Sequence, residues 1–172
     1  NAILIVGKVC GKGARAQELV DTISGSMEKI AKKTGGTVRP RVLVSVGRSP
    51  GSGSLNELTV AGRNTFYDEL ITCAGGVNAY RGYDIPYPAL SAEGLMVLEP
   101  EIIVDLVPDL EKRGITKEEA RRDWERELEI DGLNHKVYVI DSDYAVIPGP
   151  RFIRFLEDLA CIVHPELFGE AQ

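Results

Sequence analysis

The feature that most constrains the fold of this chain is an alternation between short β-branched runs and longer segments with helical periodicity. We interpret the runs "RVLVSV" (41–46), "EIIVDLV" (101–107) and "KVYVID" (136–141) as strands. The second is typical of an unbroken apolar strand that is buried on both faces of a parallel sheet. Strands that alternate with helices predict a small α/β layered sheet, in which ligands gather beyond the carboxyl ends of the strands.

The segments around these strands carry helix signals. The longest, Gly13–Thr34, has apolar residues at helical intervals over about 30 Å and stops at two glycines. The other helices are predicted to begin at Thr65, Ser91, Thr116 and near Pro150. The loops that leave the carboxyl ends of the strands are then Gly47–Asn64, Val107–Gly114 and Ser142–Pro150.

The turn before the long helix superficially resembles a phosphate-binding loop. A P-loop needs two glycines separated by four residues and followed by Lys and a hydroxyl residue, whereas Gly7 and Gly11 are separated by three. The run from Gly11 to Ala16 fits the looser G-x-G-x-x-A form, but no strand follows within the expected βαβ length. We therefore predict a helix break, without nucleotide chemistry.

Charge and composition exclude several classes of protein. The 172 residues carry a formal net charge of −6 with scattered basic residues, which argues against a nucleic-acid surface. No apolar run approaches the length of a membrane span. The cysteines lack metal-ligand spacing and are expected to be buried thiols, although one long-range disulfide stays open; they are Cys10, Cys73 and Cys161.

The chain lacks an obvious catalytic constellation. His135 and His164 have no carboxylate or cysteine at ligand spacing, so each is expected at the surface or at a helix end. No nucleophile elbow is present, and we predict no metal and no cofactor. Aromatic side chains are instead concentrated in loops, where they suit a bulky planar or chelated ligand or simply stack under prolines; they are Tyr80, Tyr83, Tyr87 and Tyr144.

Several motifs occur in an order that resembles the cluster-III periplasmic binding proteins of ABC importers. These are "GRNTFYDELITCAGGVN", "YPALSAEGLMVLEPEIIV", "HKVYVIDSDYAVIPGPR" and "LACIVHPELF". They match a helix ending in A-G-G-x-N, a P-x-x-S-x-E segment, a strand after a P-D pair, a VYxID strand before P-G-P-R, and H-P-E. The resemblance covers about 41–168 and departs from the pattern at Pro100-Glu101, where Glu replaces Asp.

The resemblance implies two α/β lobes joined by a long helix, with the ligand between them. The chain then corresponds to one three-layer lobe with a small, mostly parallel sheet, preceded by that helix. Residues 1–38 would form the interlobe helical segment and 39–172 the C-terminal ligand-binding lobe, with the N-terminal lobe absent. Because the sequence begins with Asn1 inside an apolar segment, we expect it to be a piece of a longer protein.

Roles carried over by motif are expectations of the same kind. Glu93 of S-x-E would face arginines of the permease, although its place in a helix's first turn also explains an acid there. The predicted ligand contacts are Tyr83, Tyr87, Asp143 and Tyr144 in loops, with Arg48 as a weaker partner for carboxylates.

The function that the resemblance implies is capture of an iron chelate (siderophore), haem or cobalamin for delivery to an ABC-importer permease, without catalysis. Such a protein works in the periplasm or on the extracellular face of the membrane, which it touches only through the permease or a lipid anchor outside this segment. The alternatives are an α/β enzyme and a cytosolic sensor lobe that binds a small-molecule cofactor. A signal peptide or lipobox upstream would decide between export and sensing.

Overall fold

The computed structural model describes residues 2–55, 58–129 and 136–169, in which helices alternate with the strands of one mixed sheet. The helices are α1 (Ala2–Val9), α2 (Gly13–Thr34), α3 (Phe66–Cys73), α4 (Ala92–Leu98), α5 (Lys117–Glu129), α6 (Phe152–Val163) and α7 (Pro165–Phe168). The strands are β1 (Arg41–Gly47), β2 (Leu58–Val60), β3 (Val77–Asn78), β4 (Ala89–Leu90), β5 (Ile102–Leu106) and β6 (Lys136–Ile140).

The sheet has the order β4-β2-β1-β5-β6, and β3 pairs with the start of β1. β1, β5 and β6 run parallel, and so does β3 beside β1. The pairings of β2 with β1 and with β4 are antiparallel. The three strands of the sequence prediction are therefore confirmed. β2, within the predicted loop Gly47–Asn64, and β3 and β4 were not predicted, because strands of two or three residues carry no readable periodicity.

Apolar side chains cover the sheet on both faces. One core joins β1 and β5 to α3 and α6, with Phe155, Leu156 and Ile71 fully buried. The second core lies on the opposite face, where Trp124 of α5 is completely buried with Leu43 and Ile103. The chain therefore has the predicted three layers, and Trp124 anchors α5 to the sheet.

The N-terminal helices form a hairpin. The predicted helix break is confirmed, since Cys10–Lys12 form the turn between α1 and α2. The helices touch at Gly7, where an added Cβ would collide with the Cβ of Ala16, so only glycine allows this approach. α1 keeps several apolar side chains in solvent, with Ile5 64%, Val6 60% and Val9 82% exposed.

Some predictions about individual side chains are wrong. Cys10 is exposed, Cys73 and Cys161 are half-buried, and all three are free thiols. His164, in contrast, lies at the C-terminus of α6, which is one of the two places predicted for it, and it is buried there with Nδ1 2.9 Å from Glu166 and Nε2 3.2 Å from Thr37 Oγ1. The prediction for His135 lies outside the described residues.

In the described part of the chain, none of the helices combines the length and the apolar character that crossing a bilayer requires.

Candidate functional site

The loop that carries Tyr83 and Tyr87 is fixed against β2 by its backbone. Gly62 N donates to Pro86 O at 2.8 Å, and Val60 N donates to Pro88 O at 3.0 Å. A Cβ at Gly62 would collide with the carbonyl of Ile85, so the loop packs this closely only because residue 62 is glycine. These contacts define the position of the loop Tyr83–Tyr87, which we call the tyrosine loop.

The tyrosine loop presents apolar area to solvent. The Tyr83 side chain is 84% exposed, Tyr87 is 51% exposed and Ile85 is 46% exposed. At the other edge of the loop, Asp84 Oδ1 accepts a 2.7 Å hydrogen bond from Asn64 Nδ2. Tyr80 differs from its neighbours because it is buried in the core under the sheet. Tyr83 and Tyr87 are therefore free to meet a ligand, whereas Tyr80 is a packing residue.

Tyr67, in the first turn of α3, is hydrogen-bonded to the loop after β6. Its hydroxyl donates to Ala145 O at 3.0 Å, and burial followed by the proximity of Tyr87 raises its pKa to about 12. No role was predicted for Tyr67 from the sequence. The available signal was its spacing, because Tyr67, Leu70 and Ile71 follow the i, i+3, i+4 pattern of a buried helical face.

The loop Ser142–Pro150 satisfies most of its own polar groups. Asp143 is exposed and accepts two hydrogen bonds from Arg151, at 3.1 and 2.8 Å, which hold the pKa of its carboxyl below the usual value. The half-buried Tyr144 donates its hydroxyl to Asp158 Oδ2 at 2.7 Å, and burial is the main reason that its pKa is raised. Ile147, which is 51% exposed, is the large apolar side chain that this loop turns outward.

Arg48 occupies a buried ion-pair cluster. Its side chain is 1% exposed, and its guanidinium binds Asp105 Oδ2 at 2.6 Å and Asp123 Oδ2 at 2.7 Å. A third bond reaches Ala120 O at 2.7 Å, and Trp124 Nε1 donates to the same oxygen of Asp105 at 3.0 Å. The expectation that Arg48 pairs with ligand carboxylates therefore meets a physical obstacle, because its donors are already occupied by the protein.

The two acids of this cluster were missed in the sequence. Asp105 lies inside β5, which we had interpreted as an unbroken apolar strand, and Asp123 is on α5. Asp123 also accepts hydrogen bonds from the backbone N–H groups of Gly51 and Gly53, at 2.6 and 2.9 Å. It therefore organises the segment Arg48–Leu55 after β1, which we call the Gly/Ser loop. Asp105 Oδ1 and Ser45 Oγ are buried and have no hydrogen-bond partner among the residues that the structure describes.

An apolar groove of about 880 Å³ lies beside the N-terminal half of α2. Its walls come from α1, α2, the start of α3 and the segment Pro148–Phe152. Phe66 lines the groove and packs edge-on against Tyr67 at 5.5 Å and Phe152 at 5.4 Å between ring centroids. Asn64, two residues before Phe66, is hydrogen-bonded to Asp84 of the tyrosine loop, so the groove and the tyrosine loop both lie at the N-terminal end of α3.

Glu93 lies on another exposed surface. It is in the first turn of α4, and its pKa is lowered mainly by a hydrogen bond with Ser91, the residue whose hydroxyl caps the helix by accepting from Gly94 N. Met96 is 39% and Val97 82% exposed on the same helical face. An ionised acid beside two apolar side chains forms a patch suited to a basic partner.

These placements divide the predicted site residues into three groups. Tyr83 and Tyr87 are exposed on the tyrosine loop, Asp143 and Tyr144 lie in the loop after β6 with partners of their own, and Arg48 is enclosed. Among the residues that the structure describes, no three His, Cys, Asp or Glu side chains cluster as metal ligands would. What the arrangement offers is apolar and aromatic contact area, which suits reversible binding of a large ligand.

Comparison with known proteins gives relatives of one kind. The chain is 27% identical over 178 residues to an uncharacterized ABC transporter substrate-binding lipoprotein, YvrC, of Bacillus subtilis, an alignment covering 99% of the chain and 51% of the relative. It is 28% identical over 146 residues to the high-affinity heme uptake system protein IsdE of Staphylococcus aureus, covering 83% and 48% respectively. The chain thus spans about half the length of these relatives. No family model matches.

A solved structure extends the likeness to the whole chain. The periplasmic heme-binding protein RhuT from Roseiflexus, in its apo form, superposes with a TM-score of 0.69 at 26% identity. The superposition covers 99% of this chain and 62% of that protein. The part of RhuT that is not matched shows that a fold of this kind carries a further region.

Proposed function

Because its homologues and structural neighbours are substrate-binding proteins of ABC transporters and it covers about half of such a protein, we propose that this chain is the C-terminal ligand-binding lobe of one. Residues 39–172 form the lobe and 1–38 the helical segment that leads to the other lobe. The cargo is an iron chelate, haem or cobalamin, bound reversibly without a catalytic step or a resident cofactor.

The observation that carries this proposal is that the apolar groove and the tyrosine loop lie at the same end of α3. A groove of about 880 Å³ falls in the range of small-molecule sites, which are mostly apolar with few polar groups. Its walls are the α1–α2 hairpin, Phe66 and the segment Pro148–Phe152. Such a surface supplies half of a site that a second lobe would close.

The names of the relatives favour a metal–macrocycle as cargo. IsdE and RhuT are both named for heme. Exposed tyrosines suit the flat face of such a ring, and Tyr83 and Tyr87 stand on a loop whose backbone is held in place, so little ordering is needed on binding. The predicted contacts at Asp143 and Tyr144 would act from the adjoining loop after their internal partners are exchanged.

The test is titration of the full-length protein with haem, a ferric hydroxamate siderophore and cobalamin, followed by absorbance. One of these should bind saturably, and the 172-residue chain alone should bind the same ligand far more weakly. Replacing Tyr83 and Tyr87 together by Ala should weaken binding about 10- to 100-fold, equivalent to about 1.4–2.8 kcal/mol. Absence of binding to all three ligands would refute the proposal.

A matched control is Val97→Ala, which also removes an exposed apolar side chain, but from α4. It should leave ligand affinity within about twofold, because surface substitutions away from a site change little. An equal loss in Val97→Ala and in the tyrosine double variant would assign the effect to general surface hydrophobicity.

The proposed partner surface is the patch of Glu93, Met96 and Val97. Glu93→Arg should weaken docking to the permease in a co-purification assay while ligand affinity stays unchanged, because charge complementarity sets register and encounter rate. Glu118→Arg is the matched control, since Glu118 is likewise an exposed acid in the first turn of a helix, α5. If both variants dock equally well, Glu93 only complements the helix dipole.

The proposed location follows from the same relatives. YvrC is named a lipoprotein and RhuT is periplasmic. We place the protein on the periplasmic or extracellular face of the membrane, which it reaches through the permease or through an anchor outside this segment. Detection of the full-length protein in a periplasmic extract or as a lipid-modified membrane protein would support this placement, and confinement to the cytosol would contradict it.

A further inference from the structure

A second groove, of about 410 Å³, lies along α3 and β3 and has a different chemistry from the apolar groove. Three arginines line it, Arg39, Arg63 and Arg81, and we call it the arginine groove. Thr72 and Gly76, at the C-terminal end of α3, form part of its wall. The apolar groove meets the opposite end of this helix at Phe66, so the two grooves are separate sites.

The three arginines lack acidic partners within the described residues. None of them is within 4.0 Å of a described carboxylate, although the whole chain has 26 acids and 20 Lys and Arg. Asp68 is the acid in the wall. The formal charge of the lining is therefore about +2, from three arginines and one aspartate, in a chain whose net charge is −6.

Asp68 is engaged by neutral donors. Its Oδ1 accepts from Asn78 Nδ2 at 3.1 Å, and its Oδ2 accepts from the backbone N–H of Asn64 at 3.0 Å. A carboxylate held in this way supports the loop geometry, and among the described residues it forms no ion pair with the neighbouring arginines. The positive charge of the groove is accordingly available to an incoming anion.

The backbone that carries the arginines is held by one buried side chain. Asn78 Nδ2 donates to the carbonyls of Ala61 and Gly62, both at 3.2 Å, just before Arg63. Asn78 Oδ1 accepts from Tyr80 N at 3.0 Å, just before Arg81. The backbone segments that carry Arg63 and Arg81 are thereby fixed relative to each other, which reduces the ordering that binding requires.

Arg39 comes to the arginine groove from a third segment of the chain, between α2 and β1. Its Nη2 donates to Thr72 O at 3.0 Å at the C-terminal end of α3, where the helix dipole favours a cation. This bond uses one of five guanidinium donors, so the others remain for a ligand. Three like charges around one groove repel one another, and an anion with several charges would relieve that repulsion.

We propose that the arginine groove is a binding site for a small, freely dissolved oxyanion that carries two or more negative charges. Guanidinium groups bind phosphate and carboxylate oxygens in pairs of parallel hydrogen bonds, which suits planar or tetrahedral oxyanions with several acceptors. A volume of about 410 Å³ is roughly that of ten or more water molecules and admits phosphate or a tricarboxylate. The site is independent of the proposed transport cargo.

The test is calorimetric titration of the chain with inorganic phosphate and with citrate, at constant ionic strength maintained with chloride. At least one should bind saturably at one site. The double variant Arg63→Gln/Arg81→Gln should weaken that binding by about tenfold or more. Its melting temperature without ligand should stay close to that of the parent, because both side chains are exposed and unpaired within the described residues.

The matched control is Arg113→Gln/Arg122→Gln, which removes the same charge from exposed arginines elsewhere on the chain. It should leave the affinity within about twofold. Equal weakening by the two double variants would show bulk screening and overturn the proposal, as would the absence of saturable binding by both probes. Binding to phosphatidylglycerol vesicles without binding to free phosphate or citrate would also overturn it, in favour of a lipid surface.

Discussion

The Gly/Ser loop after β1 and the tyrosine loop before α4 look alike in sequence, as polar or proline-rich connections next to the sheet, yet the structure uses them in opposite ways. The Gly/Ser loop turns Arg48 inward, where its guanidinium joins Asp105 and Asp123 out of solvent. The tyrosine loop turns Tyr83 and Tyr87 outward and holds only its backbone against β2. Composition therefore identifies a loop, whereas long-range partners decide whether it is structural or open to a ligand.

Arg48→Met is expected to have the largest effect, and it tests whether the inward-facing loop is held by its ion pairs. Removing the guanidinium leaves two buried carboxylates without their cation, which should lower the free energy of unfolding by about 3–5 kcal/mol in urea denaturation. The control is Arg121→Met on α5, which breaks a half-exposed pair with Glu125 and should cost about 0–1 kcal/mol. Equal effects of the two substitutions would mean that Arg48 is not structural.

Gly62→Ala should have the next largest effect, because it tests the fixed backbone of the tyrosine loop. The added Cβ collides with the Ile85 carbonyl, so we expect a loss of about 1–3 kcal/mol and weaker ligand binding by the full-length protein. Gly25→Ala is the control in α2, where the added Cβ meets no atom within 4 Å and should stabilise by about 0.5–1 kcal/mol. A neutral Gly62→Ala would show that the loop moves freely.

Tyr67→Phe is expected to have the smallest effect of the three substitutions on the free energy of unfolding. Losing the hydrogen bond to Ala145 O should cost about 1 kcal/mol at neutral pH. The folded-state pKa of about 12 exceeds the unfolded value near 10.0, so this group's contribution is complete below pH 10 and is lost as the pH rises toward 12. Urea unfolding at pH 9 and pH 11 should therefore show a smaller pH dependence in Tyr67→Phe than in the parent; an unchanged dependence would contradict the assignment.

Much of the fold follows from local patterns, and the exceptions have a physical cause. The long helix Gly13–Thr34, the capping residues Thr65 and Ser91 and the strands at 41–46, 101–107 and 136–141 depend on periodicity and on capping residues that occur within a few positions. The short strands β2, β3 and β4 form because other backbone segments pair with them. A run of two or three residues contains no pattern that indicates such a partner.

The candidate site divides in the same way. A proline-rich loop with tyrosines is expected to be exposed, and Tyr83 and Tyr87 are, although their role as ligand contacts stays a prediction. Arg48 was misplaced because its partners lie 57 and 75 residues away, inside a strand and a helix. The arginine groove was missed because its three cations come from separate segments that only the folded chain brings together.

The tight crossing of Gly7 and Ala16 has a consequence for how cargo preference can change. These two residues also line the apolar groove, so its width there is set by a hydrogen atom and a methyl group. A larger side chain at either position would collide across the crossing, so the two helices would have to separate and the shape of the groove would change. Under the proposed function, one substitution at this crossing would therefore change which cargo the groove admits, with every aromatic contact left in place.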